Sequence, residues 1–196
     1  WAGALAVHQS VPVDFVSLEM EEDELLFKLA AHMTGINGLA ITGGALDDQQ
    51  ASVVEQAFAR IRKSPLRIWA PDDITPSELQ LFARESVLER RTEVLFLDYA
   101  QLVAPEPGME RDSDYERLGF LGRVAKMKIA RGMGITVVFA AQLKRDAVEK
   151  DRPTKEDVGD SYHLARTADV FLILKEHNDS NTLDFWIDKN RQGPNN

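Results

Sequence analysis

Short apolar runs alternate with stretches of helical period along the chain. The central run is Val94-Leu95-Phe96-Leu97, four apolar residues that lead directly into Asp98. An unbroken run of this kind suits a strand buried on both faces of a parallel sheet. Further strands are predicted over 11–18, 66–69, 135–140, 170–174 and 183–187, the last two paired as a hairpin around a turn at 178–181. Helical period shows in Leu26, Leu29, Ala30 and Met33, after the acidic Glu21-Glu22-Asp23, and Gly35 and Gly38 break that helix. A helix over 47–63 turns Val54, Ala57, Phe58 and Ile61 to one side. Thr75-Pro76-Ser77-Glu78 starts another, with a Thr cap, Pro at the first position and Glu three after the cap; it runs to about Arg90. A helix over 118–133 carries Leu121, Val124, Ala125 and Ile129 inward and stops at Gly134.

Between these elements, 103–115 contains Pro105, Pro107 and Gly108 and reads as a loop, and 144–160 is long, charged and poor in apolar residues. Loops of that length are usually functional or mobile. Residues 1–9 read as the remainder of a helix with Leu5 and Ala6 on its apolar side and no cap signal, so the chain is expected to begin inside an element. Strands alternating with helices argue an α/β fold, a mainly parallel twisted sheet with helices on both faces.

Composition narrows the class. A length of 196 residues with 44% hydrophobic content suits one α/β domain with a full core. No apolar run approaches the roughly 18 residues of a membrane span, and no signal peptide is visible. The absence of Cys removes disulfides, thiolate metal sites and Cys nucleophiles, and fits a reducing compartment. The formal net charge of −9 argues against a protein that coats duplex DNA, so any nucleic-acid contact has to be local.

Four predicted strands end in polar groups: Glu19, Asp98, Gln142, and Lys189 with Arg191. In a parallel sheet such groups meet along the carboxyl edge, where open α/β sheets bind ligands. The set has the parts of a phosphoryl-transfer site: a carboxylate to orient water, a second for a metal, an amide to sense a phosphate, and cations for developing charge. Taken singly, each has a plainer reading. Asp98 is equally a turn acid after a buried strand, Glu19 a helix-capping acid, Gln142 a hydrogen-bonding loop residue, and Lys189 with Arg191 a solvated pair.

Order and spacing shift the balance. The chain resembles the RecA-like motor domain of DnaB-type replicative helicases, a P-loop NTPase fold. The matching segments are Ser17-Leu18-Glu19-Met20, Asp98-Tyr99-Ala100-Gln101-Leu102, Gln142-Leu143-Lys144-Arg145, Ala168-Asp169-Val170 and Lys189-Asn190-Arg191-Gln192-Gly193-Pro194. The resemblance implies ATP and Mg²⁺ as cofactors, with Glu19 polarising the attacking water and Asp98 as the Walker B acid for Mg²⁺. It implies that Gln142 couples the γ-phosphate to the DNA loops. Lys189 and Arg191 would reach into a neighbouring subunit's ATP site, Arg191 as the arginine finger, in a ring that is normally a hexamer. Lys28 falls where the family often has an Arg near the nucleotide. Single-stranded DNA would follow the loops after Asp98 and Gln142, the second including Lys144, Arg145, Gly159, Asp160 and Ser161. Primase and a helicase loader are further partners the resemblance implies, in the cytoplasm of a bacterium or a phage-infected cell.

The sequence also departs from that pattern. No G-x-x-x-x-G-K-[ST] phosphate loop occurs in it, which is expected if this domain lacks its start; a last strand after the Gly-Pro is missing as well. From Lys144 to Asp169 there are seven acids against six bases, and from Ala104 to Arg117 five against two. These loops are no basic stripe. An alternative is therefore a DnaB-like ATPase with a regulatory or assembly role and no unwinding activity. A recombinase of the same fold is a third reading, against which the Asp-Tyr-x-Gln-Leu and Lys-x-Arg-x-Gly-Pro elements count.

Overall fold

The apolar runs form β1 (Val13–Ser17), β2 (Leu66–Trp69), β3 (Val94–Asp98) and β4 (Thr136–Phe139) in a computed structural model. It describes residues 1–143, 150, 152–157, 162–177 and 182–193. The four strands make one parallel sheet in the order β2-β1-β3-β4. β5 (Val170–His177) and β6 (Thr182–Asn190) form the antiparallel hairpin, each longer than its apolar run suggests. The expected turn at 178–181 lies outside the described residues.

Helices cover both faces. They are α1 (Glu22–Thr34), α2 (Gly38–Thr42), α3 (Asp48–Lys63), α4 (Pro76–Arg90) and α5 (Asp114–Arg123). The last continues through a π-helical stretch, Val124–Ala130, into a closing turn, α6 (Arg131–Met133). A short π-helical segment, Ala4–His8, precedes β1, and α7 (Tyr162–Thr167) precedes the hairpin. Three helix starts are fixed by reciprocal capping boxes: Asp47 with Gln50, Thr75 with Glu78, and Ser113 with Glu116. The third lies inside the stretch expected to be loop, so α5 begins before Leu118. Gly38 does not only break α1. It opens α2, whose start is capped by the Asn37 side chain accepting from the Leu39 N–H at 2.8 Å.

Side chains alternate along the strands and split the core in two. Val16, Leu95 and Leu97 face Leu79 and Ala83 of α4 and Leu118, Leu121, Val124 and Ile129 of α5 and its continuation. Val13 and Phe96 face the other way, against Ala6, and Phe15 stacks on Phe96 with ring centroids 6.1 Å apart. Beyond them α1 and α3 meet through Ala30, Ala57 and Ile61.

One residue breaks the apolar pattern. Asp14 points into the first layer and is 0% exposed. Its carboxylate accepts from Arg67 Nε and Nη2 at 2.9 Å each and from the Thr92 hydroxyl at 2.8 Å, with Arg90 Nε 3.6 Å away. Arg67 also donates to Ser86 of α4 and lies over the Phe82 ring, 4.4 Å from its centroid. This network ties β1 to β2, to α4 and to the segment before β3, and so holds the strand that leads to Glu19.

Candidate nucleotide site at the carboxyl edge of the sheet

β1 and β3 are neighbours in register, with Ser17 opposite Asp98. The Leu18 N–H donates to the Asp98 carbonyl at 2.8 Å, so the chain beyond β1 is stitched to the tip of β3. Ser17, buried, then closes a tight turn. Its hydroxyl donates to the Met20 carbonyl at 2.7 Å and accepts from the Met20 N–H at 3.0 Å. That turn leaves the Glu19 side chain exposed beside Asp98.

Burial raises the Asp98 carboxyl above its ordinary value, the negative Glu19 adds to the rise, and Lys28 opposes it. Lys28, on α1, reaches back so that its Nζ lies 3.2 Å from Met20 Sδ. A half-buried acid beside a second acid is a place where a cation relieves repulsion. Among the described residues no three His or acidic side chains gather around one point. The pair of carboxylates suits Mg²⁺, which is held by one or two carboxylates and completes its shell with water and phosphate oxygens.

β4 brings the third tip alongside. The Ala140 N–H donates to the Leu97 carbonyl and the Ala100 N–H to the Ala140 carbonyl, both at 3.0 Å. Gln142 follows, with its side chain exposed. Its backbone is gripped by Gln101, whose amide donates to the Gln142 carbonyl at 3.1 Å and accepts from the Gln142 N–H at 3.4 Å. Glu19, Asp98 and Gln142 thus stand at the tips of three adjacent strands. Ser17 and Gln101 build the turns around them, and sequence reasoning assigns neither a role; their signal is their place inside the matching segments.

Lys189 and Arg191 stand at the end of β6, in the two-stranded hairpin rather than the four-stranded sheet. Lys189 Nζ donates to the carbonyls of Ala165 at 2.9 Å and Arg166 at 2.6 Å, at the C-terminal end of α7. Burial and the adjacent Arg191 lower the Lys189 ammonium from its ordinary value. Arg191 donates to the Arg166 carbonyl at 3.2 Å and pairs with Asp169 at 3.5 Å. Among the described residues no hydrogen bond or ion pair joins either cation to Glu19, Asp98 or Gln142. Of the residues expected to contact nucleic acid, Lys144, Arg145, Gly159, Asp160 and Ser161 lie outside the described set. Another part of that segment touches the hairpin, where Lys155 donates through its N–H to Asp188 at 3.1 Å; within the segment, Asp157 accepts from the Thr154 N–H at 2.8 Å.

The sequence profile of the DnaB-like helicase C-terminal domain family matches residues 1–196. The chain belongs to that family. A probable plasmid replicative DNA helicase of Chlamydia muridarum is 27% identical over 195 residues, 96% of this chain and 42% of that protein. The replicative DNA helicase DnaB of Treponema pallidum is 27% identical over 194 residues, 98% of this chain and 43% of that protein. The chain thus spans less than half the length of these curated relatives. Among solved structures, a DnaB-like replicative helicase, described with its interactions with primase, superposes with a TM-score of 0.87 at 23% identity, covering all of this chain and 49% of that one. The RadB recombinase reaches a TM-score of only 0.54 at 16% identity, over 96% of this chain and 74% of its own. The fold is that of the DnaB and RecA-like ATPase domains, the parallel sheet with helices on both faces expected from the sequence.

Proposed function

We propose that this DnaB-family domain is the ATP-driven motor of a ring-forming DNA helicase. The observation that carries the reading is the pairing of Glu19 and Asp98 at adjacent strand tips, with Asp98 raised by burial and by Glu19. Asp98 would hold Mg²⁺, directly or through water, and the ion would neutralise charge on the nucleotide phosphates. Glu19, exposed and carried by the hydrogen-bonded Ser17–Met20 turn, orients the attacking water and draws on its proton. Gln142, with its backbone fixed by Gln101, registers the terminal phosphate and passes its state to the segment that follows. Lys28 offers a cation on the nucleotide side. Lys189 and Arg191 serve the ATP site of the next subunit, with Arg191 as the finger. The family's phosphate-loop motif is not among these 196 residues.

On this reading the loops after Asp98 and Gln142, with Lys144, Arg145, Gly159, Asp160 and Ser161, track the backbone of a single DNA strand inside a ring, normally a hexamer. Primase and a loader are the expected partners, and the cytoplasm the expected place; the solved DnaB-like relative described with its primase interactions supports the first of these. The acid-rich stretch from Ala104 to Arg117 favours the second reading, an ATPase without unwinding activity. The deciding experiment uses Glu19→Gln in the full-length protein. It is expected to abolish ATP turnover while nucleotide binding persists, and full turnover would remove Glu19 from this role. Strand separation by the parent protein on a forked DNA then selects the helicase over the second reading.

A further inference from the structure

We propose that Asp169 is the positioning residue for Arg191. Its carboxylate holds the Arg191 guanidinium on one oxygen and the Lys126 ammonium on the other, and this clamp aims the finger at the neighbouring subunit. Asp169 lies in the Ala168-Asp169-Val170 segment, which the proposed mechanism otherwise leaves without a task.

Four contacts define the clamp. Oδ1 of Asp169 faces Arg191 Nη1 at 3.5 Å, and Oδ2 bonds to Lys126 Nζ. The Arg191 N–H donates to the Asp169 carbonyl at 2.9 Å, and Arg191 Nη2 donates to the Arg166 carbonyl at 3.2 Å. Arg191 is therefore held at its backbone and at both ends of its guanidinium by residues between Arg166 and Asp169. Lys126 is the fixed point. It comes from the continuation of α5, and its side chain is only 15% exposed, whereas Asp169 is 52% and Arg191 46% exposed. The hydrogen bond from Lys126 pulls the Asp169 carboxyl below its ordinary value, so it is ionised at neutral pH.

An ion pair as open as Asp169–Arg191 adds little to stability. What it does is restrict direction. Arg has a long, rotamer-rich side chain, and a transition-state contact tolerates little misplacement. Asp169 makes no contact with Glu19, Asp98 or Gln142 among the described interactions, so its loss leaves its own subunit's ATP site intact.

The inference rests on the finger reading, and the test separates the two. ATP hydrolysis by the full-length protein is measured for Asp169→Asn, Asp169→Glu, Arg191→Ala and Glu19→Gln, alone and in mixed assemblies. Asp169→Asn is expected to lower kcat roughly ten- to a hundredfold with the KM for ATP within about twofold of the parent. Asp169→Glu recovers part of the loss. Mixed with Glu19→Gln subunits, Asp169→Asn regains turnover as Arg191→Ala does, because its intact site then faces a well-aimed finger. Full kcat in Asp169→Asn beside an inactive Arg191→Ala overturns the clamp alone. So does mixing that rescues Arg191→Ala but not an Asp169→Asn subunit whose thermal transition and nucleotide binding match the parent's. Full activity in Arg191→Ala, or its failure to be rescued, removes the finger reading and the clamp with it.

Discussion

Replacing Asp14 by Ala removes the acceptor at the centre of an ion cluster built around a fully buried carboxylate, and the structure sets the size of the loss. Arg67 loses two bonds of 2.9 Å and Thr92 one of 2.8 Å. Breaking a buried pair from one side typically costs about 3–5 kcal/mol. The lower end applies, because the Arg67 and Arg90 side chains are 29% and 37% exposed and their charges can turn to water. Thr92 keeps a second acceptor, the Ser86 carbonyl at 3.3 Å. A loss of about 3 kcal/mol in a domain of this size lowers Tm by roughly 6–12 °C. Urea unfolding at neutral pH measures it, with an unchanged m-value showing that the unfolded state is the same. The double replacement Asp14→Leu with Arg67→Met should cost clearly less than Asp14→Ala, since the Arg67 charge is no longer orphaned. A single-variant loss below about 1 kcal/mol, or a double variant as damaged as the single, would refute the reasoning.

Three other outcomes follow from the same contacts. Gln101→Leu frees the backbone at the tip of β4 and should lower ATP turnover by roughly tenfold while Tm moves little; unchanged kcat would separate Gln101 from the site. Asp98 is raised, so the fold favours its protonated form, and its ionised form carries a stability cost that is absent below the ordinary aspartate range and grows as pH climbs through that range to the raised value. Asp98→Asn should therefore be stabilising at pH 7, with the gain over the parent shrinking as pH falls; a pH-independent difference in urea midpoint would contradict the burial argument. Gly134 ends α6 at φ 72°, a left-handed conformation, and Gly134→Ala should cost about 1 kcal/mol in urea unfolding, against none if the backbone there can relax.

Much of the fold is legible because its signals are local. The apolar runs of β1, β3 and β4 mark strands without knowledge of their neighbours, and Thr75-Pro76-Ser77-Glu78 marks the start of α4 by itself. Ser113 and Glu116 carry the same three-residue spacing, but Pro105, Pro107 and Gly108 nearby make the whole stretch read as loop. α2 hides for a similar reason: Gly38 breaks one helix and begins the next, and the deciding cap is the side chain of Asn37. Long-range partners leave no such trace. Nothing near Asp14 announces Arg67 or Thr92, which lie 53 and 78 positions away. The seat of Lys189 on the end of α7 is equally invisible, since it is built from backbone carbonyls that every residue owns. The three strand tips can be anticipated as chemistry; Gln101 is marked in the sequence only by its place in a matching segment, and its task of holding one tip shows only in its contacts.

The middle position of β1 has a consequence for synthesis. Among these four strands it is the first to leave the ribosome, yet both of its partners are made later, Val13 waiting for Leu66 on one side and Val94 on the other. Chains emerge at roughly 5–20 residues per second. For the first seconds of its existence this strand is therefore an unpaired apolar ribbon carrying one charged side chain, Asp14, whose counter-ion has not yet been translated. That charge keeps the nascent ribbon wet, and the arrival of Arg67 is what first permits its burial.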